Sequence, residues 1–307
     1  MKRLLLYTTL LLWTHCCLAQ ITYETVFIDY DSAWEYREMK IIPVRTKGLP
    51  SSMQEMMTLR QAMRSGLVEI SERGTASTEN VHWVRVRNKS NKPLYVASGE
   101  IITGGRQDRM LSKDTVLIPN GADQYLPAMC VEENRWSDKE RKFQYHGYSN
   151  PSLRKVMNNS GNQVLIWKEV YAQLDSSDIR SQTLAYGALR ADKKALLDHS
   201  DYMNCFMQNL RKDDSTIVGV ICISGDKILG TDVYASNNLF RDEFESILSG
   251  YVEESMRIGT VPRVTNDEVA AAMEPVLRNE LSQEEYCKKN GKLFRYKGKV
   301  FHVNAFF

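Results

Sequence analysis

No Cys-x-x-Cys pair occurs in the 307 residues, which removes the usual ligand set of a zinc ribbon and the redox pair of a thioredoxin-like fold. Also missing are the Gly-rich phosphate loop, the dinucleotide-binding Gly-x-Gly-x-x-Gly and the Gly-x-Ser-x-Gly nucleophile elbow. His82, His146, His199 and His302 are scattered without metal-ligand spacing. Asp29-Tyr30-Asp31 lacks the rest of a calcium loop and reads as a solvated turn. The chain has little charge excess, with 40 Lys and Arg against 38 Asp and Glu. Lys2 and Arg3 fall in a leader without acids, so the remainder is neutral and offers no overall field to nucleic acid or anionic lipid. Internal repeats and low-complexity tracts are absent. No metal or cofactor is called for.

What is present begins with that leader. Lys2-Arg3, the apolar stretch Leu4 to Leu12 and the exit Cys17-Leu18-Ala19 make residues 1–19 a cleaved secretory signal, too short for a spanning helix. Trp13-Thr14-His15 ahead of Cys16 and Cys17 does not make a lipobox. The expected product starts at Gln20 and is exported, to the periplasm or beyond, and no later segment is apolar enough to cross a membrane. Cys130, Cys205, Cys222 and Cys287 could form two disulfides in an oxidising compartment. The apolar surroundings of Cys205 and Cys222 favour small buried hydrophobes instead.

The patterning predicts an α+β protein. An antiparallel, β-rich part covers 20–131, helices packed on a second β-hairpin cover 151–257, and a small helix-helix-hairpin tail covers 258–307. Strands are expected at Ile21–Ile28, Met39–Val44, Val68–Glu72, Val81–Asn88 and Leu94–Ala97, with a helix at Met57–Ser65 stopped by Gly66. Val84 and Val86 alternate with Arg85 and Arg87, the mark of a half-buried strand. From Glu132 to Asn162 periodicity fades, and the expectation is a long loop with a short helix near Leu153–Met157. Helical spacing returns over Gln163–Leu174 and Gln182–Leu210, with a break near Asp198–Asp201. Ser215–Ile223 and Lys227–Tyr234 form a hairpin around Ser224-Gly225-Asp226, followed by a helix capped at Ser236-Asn237-Asn238. Thr265 to Glu268 and Ser282 to Glu285 are capping-box patterns, each opening a helix before a final hairpin at Lys297-Gly298-Lys299.

Two polar knots interrupt the apolar runs. The first is Gly99 to Arg109, set between Pro93-Leu94-Tyr95-Val96-Ala97 and Asp114-Thr115-Val116-Leu117-Ile118-Pro119; the second is Cys130-Val131-Glu132-Glu133-Asn134-Arg135-Trp136. Polar turns held between core strands are natural places for function. Glu100 and Glu132 could supply paired carboxylates for acid–base catalysis, or each could bracket a backbone amide or an arginine. Arg106, Arg109 and Arg135 are planar donors suited to carboxylate or phosphate, and Gly104 and Gly105 would let backbone amides approach an anion, with Gln107 beside them. The alternative is a tight turn whose arginines neutralise Glu100, Asp108 or Glu132. Trp136 could stack on a ring or anchor packing. Cys130, beside Met129 and Val131 without a nearby histidine, reads as buried and inert.

With these motifs the chain resembles the ADP-ribosylglycohydrolase- and rhodanese-phosphatase-associated protein domain. That family pairs a Gly-Glu-rich segment ending in Gln-Asn-Arg with a later Cys-Val-Glu-x-x-Arg-Trp. Here they appear as Gly99-Glu100 through Gln107-Asp108-Arg109, and as Cys130 to Trp136. Further echoes are Thr58-Leu59-Arg60-Gln61-Ala62, Trp167-Lys168-Glu169-Val170 and Gly225 to Asp232, so the likeness spans about Met39 to Met256. The resemblance carries no established activity. The family's name implies company with ADP-ribose and phosphate chemistry, which is association rather than mechanism. This chain departs by placing Asp108 where the family has Asn, and its leader separates it from cytosolic NAD.

Three functional readings follow. The leading one is an envelope or secreted module that binds a small anionic ligand, or an envelope protein, through a Glu/Arg pocket. The second is a hydrolase acting on a phosphate- or phosphoribosyl-containing substrate with Glu100 or Glu132 as base. The third is a purely structural domain. Whether the protein is an enzyme is left open.

Overall fold

The computed structural model describes residues 20–48, 55–74, 82–190, 193–212 and 216–307. The expected leader, Val81 and Ser215 lie outside them. The first elements are β1 (Val26–Ile28), β2 (Trp34–Tyr36), β3 (Met39–Thr46), β4 (Met57–Thr58), α1 (Leu59–Arg64) and β5 (Val68–Glu72). Next come β6 (Trp83–Asn88), β7 (Leu94–Val96), β8 (Glu100–Gly105), β9 (Arg109–Leu111), β10 (Thr115–Leu117), β11 (Gln124–Cys130) and β12 (Arg141–Tyr148). Helices α2 (Pro151–Ser160), α3 (Gln163–Ser176) and α4 (Lys193–Lys212) precede the hairpin β13 (Ile217–Ser224) and β14 (Lys227–Tyr234). The chain ends with α5 (Asn237–Ile258), α6 (Asn266–Leu277), α7 (Glu280–Asn290), β15 (Gly291–Tyr296) and β16 (Lys299–Ala305). The fold class is α+β, as expected.

A seven-stranded sheet runs β1-β3-β13-β14-β16-β15, with β2 also paired to β3. Its central strand β13 is buried along its whole length because both faces are covered. Val220 and Cys222 point into a cluster with Phe240, Phe244, Ile247 and Leu248 of α5. The alternate residues Ile221 and Ile223 meet Val269, Met273 and Val276 of α6. Each such fully buried side chain contributes about 1.5–3 kcal/mol relative to exposure. The tail read as a small unit therefore completes this sheet, since β16 pairs with β14.

A six-stranded sheet, β12-β8-β9-β11-β6-β5, sits beside a three-stranded one, β10-β7-β4, whose β4–β7 pair is parallel. Val84, Val86 and Ile102 pack with Leu59 and Ala62 of α1. Ile101 and Met110 take the other side, against Leu153 and Met157 of α2 and Ile166 and Val170 of α3. The strand period of two thus divides Ile101 and Ile102 between two cores.

Four expectations are corrected. The segment 132–162 is not a long loop, since it contains β12 and α2. Register shifts in β12 between Arg141 and Gln144, and between Tyr145 and Gly147, break the alternation that would have announced a strand. Helix α4 runs unbroken through Asp198 and Asp201, whose carboxylates face outward onto Arg37 at 2.9 and 3.3 Å. The last helix starts earlier than the Ser282 box, because Asn279 caps it by accepting from the Ser282 amide. The first strand begins at Val26, because Thr22 O already accepts from the Thr25 and Val26 amides in a tight turn.

Candidate functional site

The two sequence motifs meet in space. Antiparallel pairing of β9 with β11 sets Arg109 opposite Cys130, and the Asp108 amide donates to Glu132 Oε2 at 3.2 Å. Arg135 donates through Nε to Glu132 Oε2 at 2.6 Å, and through Nη2 to Asp108 Oδ1 at 2.8 Å and Gly104 O at 2.9 Å. Gln107 Nε2 donates to Glu132 O at 2.9 Å, and Arg106 donates to the carbonyls of Ser137 and Asp138. The Gly104 amide donates to Asp108 Oδ1 at 2.8 Å, and the Arg106 amide to Glu72 Oε1 at 2.9 Å. The amides of this glycine turn are thus occupied by the chain's own carboxylates. A side chain at Gly105, which has φ +51°, would meet Phe143 Cζ at 2.2 Å and Glu72 Oε1 at 2.5 Å.

Arg109 lies deepest. It is fully buried, as is the side chain of Glu72, and its Nη2 meets both Glu72 oxygens at 3.2 and 3.1 Å. The Cys130 sulfur also contacts the guanidinium. Burial pushes the Asp108 carboxyl above its ordinary value, although the Gly104 amide and Arg135 oppose the shift. Trp136, 42% exposed, stands at the rim of this knot. Cys205, Cys222 and Cys287 are free thiols.

Glu100 does not join Glu132 in this knot. Its Oε2 accepts from the Ala97 amide at 2.7 Å and its Oε1 from the Tyr145 hydroxyl at 3.0 Å. The acid on which its charge acts is Glu243 of α5, also fully buried. Burial, opposed by the Ala97 amide and Tyr145 and reinforced by Asp114, pushes Glu100 up to about 8. Burial and then Glu100 itself push Glu243 well above the carboxylate range. The Tyr148 hydroxyl stands beside both Glu243 and Tyr234, and Ser246 beside Tyr145, in loose contacts within this buried cluster of acids and hydroxyls. Further in, opposite charges match again. Arg154 forks onto Asp232 at 2.9 and 2.6 Å, and His302 stands 3.0 Å from Asp232 and 3.6 Å from Asp114.

Outside Glu100 opens a cleft of about 470 Å³. Its walls come from α1, β12, α4 and α5, with Arg190 from the 3₁₀ turn Tyr186–Arg190. Tyr145, whose hydroxyl bonds Glu100, and Ser246 are part of the lining. Arg60, Arg64, Arg190 and Arg211 give the cleft a positive lining against one acid, Glu245, which pairs with Arg60 at 2.5 Å and Arg64 at 3.2 Å. Arg190 pairs with Glu253, yet its Nη2 is buried without a partner among the described residues. Arg60 Nε and His146 Nε2 are in the same condition. Burial and then Arg190 hold His146 down at about 3 and His199 at about 4, so both rings are neutral at pH 7. A neighbouring depression of about 750 Å³ shares Arg190 and His199.

Among the described residues, no group of three or more His, Cys, Asp or Glu is arranged to hold a metal, and no helix is long and apolar enough to cross a membrane. A model of the ARG and Rhodanese-Phosphatase-superfamily-associated Protein domain matches residues 27–306. The chain belongs to this family. The match reaches past Met256 and takes in α6, α7, β15 and β16. No curated protein and no solved structure matches the chain.

Within this family member, sequence reasoning found the motif residues but missed Glu72, Tyr145, Arg190, Glu243 and Ser246. Glu72 ends a strand that was expected, and only an acid at a strand terminus hinted at its role. Arg60 was legible as a family echo in Thr58 to Ala62. Its partner Glu245 is 185 residues away, and no local spacing signals such a pair.

Proposed function

We propose that the protein binds a small anion, and that the cleft walled by α1, β12, α4 and α5, rather than the two motifs, takes it. The observation that carries this reading is the charge of the lining, where Arg60, Arg64, Arg190 and Arg211 stand against one acid, Glu245. Four guanidinium groups around one cleft fit a ligand rich in acceptor oxygens. In the motifs, by contrast, Arg109 and Arg135 meet Glu72, Asp108 and Glu132, so they serve as a frame that holds β8, β9 and β11. A hydrolase is the second reading. One observation favours Glu100 for it, the Tyr145 hydroxyl that joins Glu100 to the cleft wall.

Titration calorimetry with inorganic phosphate, sulfate and a nucleoside monophosphate tests the reading, with the charge reversal Arg211→Glu at an exposed lining residue as the variant. Saturable binding that weakens at least tenfold in the variant is expected. Equal binding by both proteins, or none, would overturn the cleft assignment. Export rests on the leader of residues 1–19. The secreted or periplasmic protein should begin at Gln20 on N-terminal sequencing, and a mature protein that retains Met1 contradicts it.

A further inference from the structure

We propose that the cleft takes up its anion together with a proton, and that the buried Glu100–Glu243 pair, reached through Tyr145, holds that proton. The inference rests on the anion-binding reading above. Both carboxyls are fully buried, Glu100 at the start of β8 and Glu243 on α5, and the charge on Glu100 acts on Glu243. His302, Arg60 and the Tyr148 hydroxyl favour an ionised Glu243 but do not offset its burial. Two buried acids that disfavour each other's ionisation in a low dielectric do not both ionise near neutral pH, so the pair keeps a proton. The Tyr145 hydroxyl donates to Glu100 Oε1 at 3.0 Å, and Tyr145 and Ser246, the latter one turn along α5 from Glu243, are both lining residues of the cleft. An anion in the cleft adds a further negative charge beside the pair. The pair then holds its proton more tightly, and by reciprocity the proton tightens the anion.

The groups around the pair identify whose proton it is. Arg60 faces it from α1, Asp114 and Tyr95 from the β7–β10 side, Tyr145 and Tyr148 from β12, Tyr234 from β14 and His302 from β16. Arg60 is a fixed cation. Burial drives the phenols of Tyr95, Tyr145, Tyr148 and Tyr234 upward, away from neutral pH. His302 and Lys292 hold Asp114 below its ordinary value. In the cleft itself, His146 and His199 change charge at about 3 and about 4. Glu100, pushed up to about 8, is the group poised to gain a proton on the alkaline side of neutrality. His302, raised by Asp114 and Asp232, is the competing source that the experiment must separate.

Sulfate is the probe, because it carries no exchangeable proton of its own near neutral pH. Calorimetric titrations of the full chain in two buffers of different ionisation enthalpy give the protons taken up per sulfate bound. The expected result is little uptake at pH 6, rising toward one proton at pH 8 to 9, with affinity falling up to about tenfold per pH unit across that same range. In Glu243→Gln, binding should persist while uptake near pH 8 disappears. Tyr145→Phe keeps the ring but removes the hydroxyl that stabilises ionised Glu100, and should move the uptake to higher pH. Should Glu243→Gln fail to fold, the parent and Tyr145→Phe decide the matter between them. Sulfate binding without proton uptake at any pH overturns this inference and leaves the cleft reading intact. Uptake unchanged in Glu243→Gln assigns the proton to His302 and overturns it as well. No binding of either sulfate or phosphate removes both.

Discussion

The motif knot and the floor of the cleft are both buried and polar, yet they are built on opposite rules. In the knot every carboxylate meets a cation or a backbone amide: Glu72 has Arg109 and the Arg106 amide, Glu132 has Arg135 and the Asp108 amide, and Asp108 has Arg135 and the Gly104 amide. At the floor of the cleft, the charge of Glu100 acts on another buried acid, Glu243, and what surrounds the two is mainly hydroxyls. A matched set of buried charges fixes geometry. An unmatched set stores free energy that a ligand or a proton can release, and this is where functional chemistry tends to sit. The segments most conspicuous in the sequence therefore serve as scaffold, and the unmatched groups sit at the start of the neighbouring strand β8 and on α5.

The comparison is broken most forcefully at Arg109. Replacing it with Met should leave the fully buried Glu72 carboxylate without its cation, at a cost of about 3–5 kcal/mol in urea unfolding. A loss below about 1 kcal/mol would mean that the knot does not depend on charge matching.

The floor of the cleft should respond to pH in a way the knot does not. Glu100 has an ordinary value of 4.5 and is raised to about 8 in the folded chain, so the folded state binds the proton more tightly than the unfolded state does. Its contribution is fully present below about pH 4.5 and is lost progressively as pH rises toward 8. Within that window stability should fall by at most about 1.4 kcal/mol per pH unit for one proton. Chemical unfolding measured across pH 4 to 9 in the parent and in Glu243→Gln checks this. The variant, with one potential charge removed, should show the flatter profile and greater stability at pH 8. Parallel profiles would dissolve the distinction between the two regions.

Arg135→Met is the gentler test of the knot. Its side chain is 14% exposed, and the Gly104 and Asp108 amides still serve Asp108 and Glu132 after it is removed. The expected loss is about 1–3 kcal/mol. A loss equal to that of Arg109→Met would mean that the two arginines act as one network.

How much of this was legible in the sequence follows from the range of each signal. Alternation in β6 and the helix that follows Met57 depend on neighbours a few residues apart, and both are present as expected, the helix capped by a Thr58/Gln61 box. The contact between the two motifs was also legible, because strands close in sequence tend to pair. Strand β12 was hidden by its register shifts, and α2 was underestimated despite Asn150 at its cap and Pro151 in its first turn. Glu243 could not be paired with Glu100 from sequence. It sits on a helix whose partner strand lies more than a hundred residues earlier, and nothing in an amphipathic pattern marks which buried acid will meet another.

Two substitutions with small effects on stability give the finest discrimination between the regions. Trp136, at the rim of the knot, and Arg211, in the cleft lining, both present exposed side chains. Changing either to Ala should alter unfolding free energy by no more than about 0.5 kcal/mol, the usual range for surface sites free of special features. Their ligand responses should differ. With sulfate added, the parent should gain thermal stability in proportion to occupancy. Trp136→Ala should keep that gain in full, because the knot's rim takes no part in holding the anion. Arg211→Ala should lose part of it, because one of the cleft's positive charges is gone. The reverse pattern, with the response lost at Trp136 and retained at Arg211, would return the ligand to the motifs and make the cleft a feature of packing.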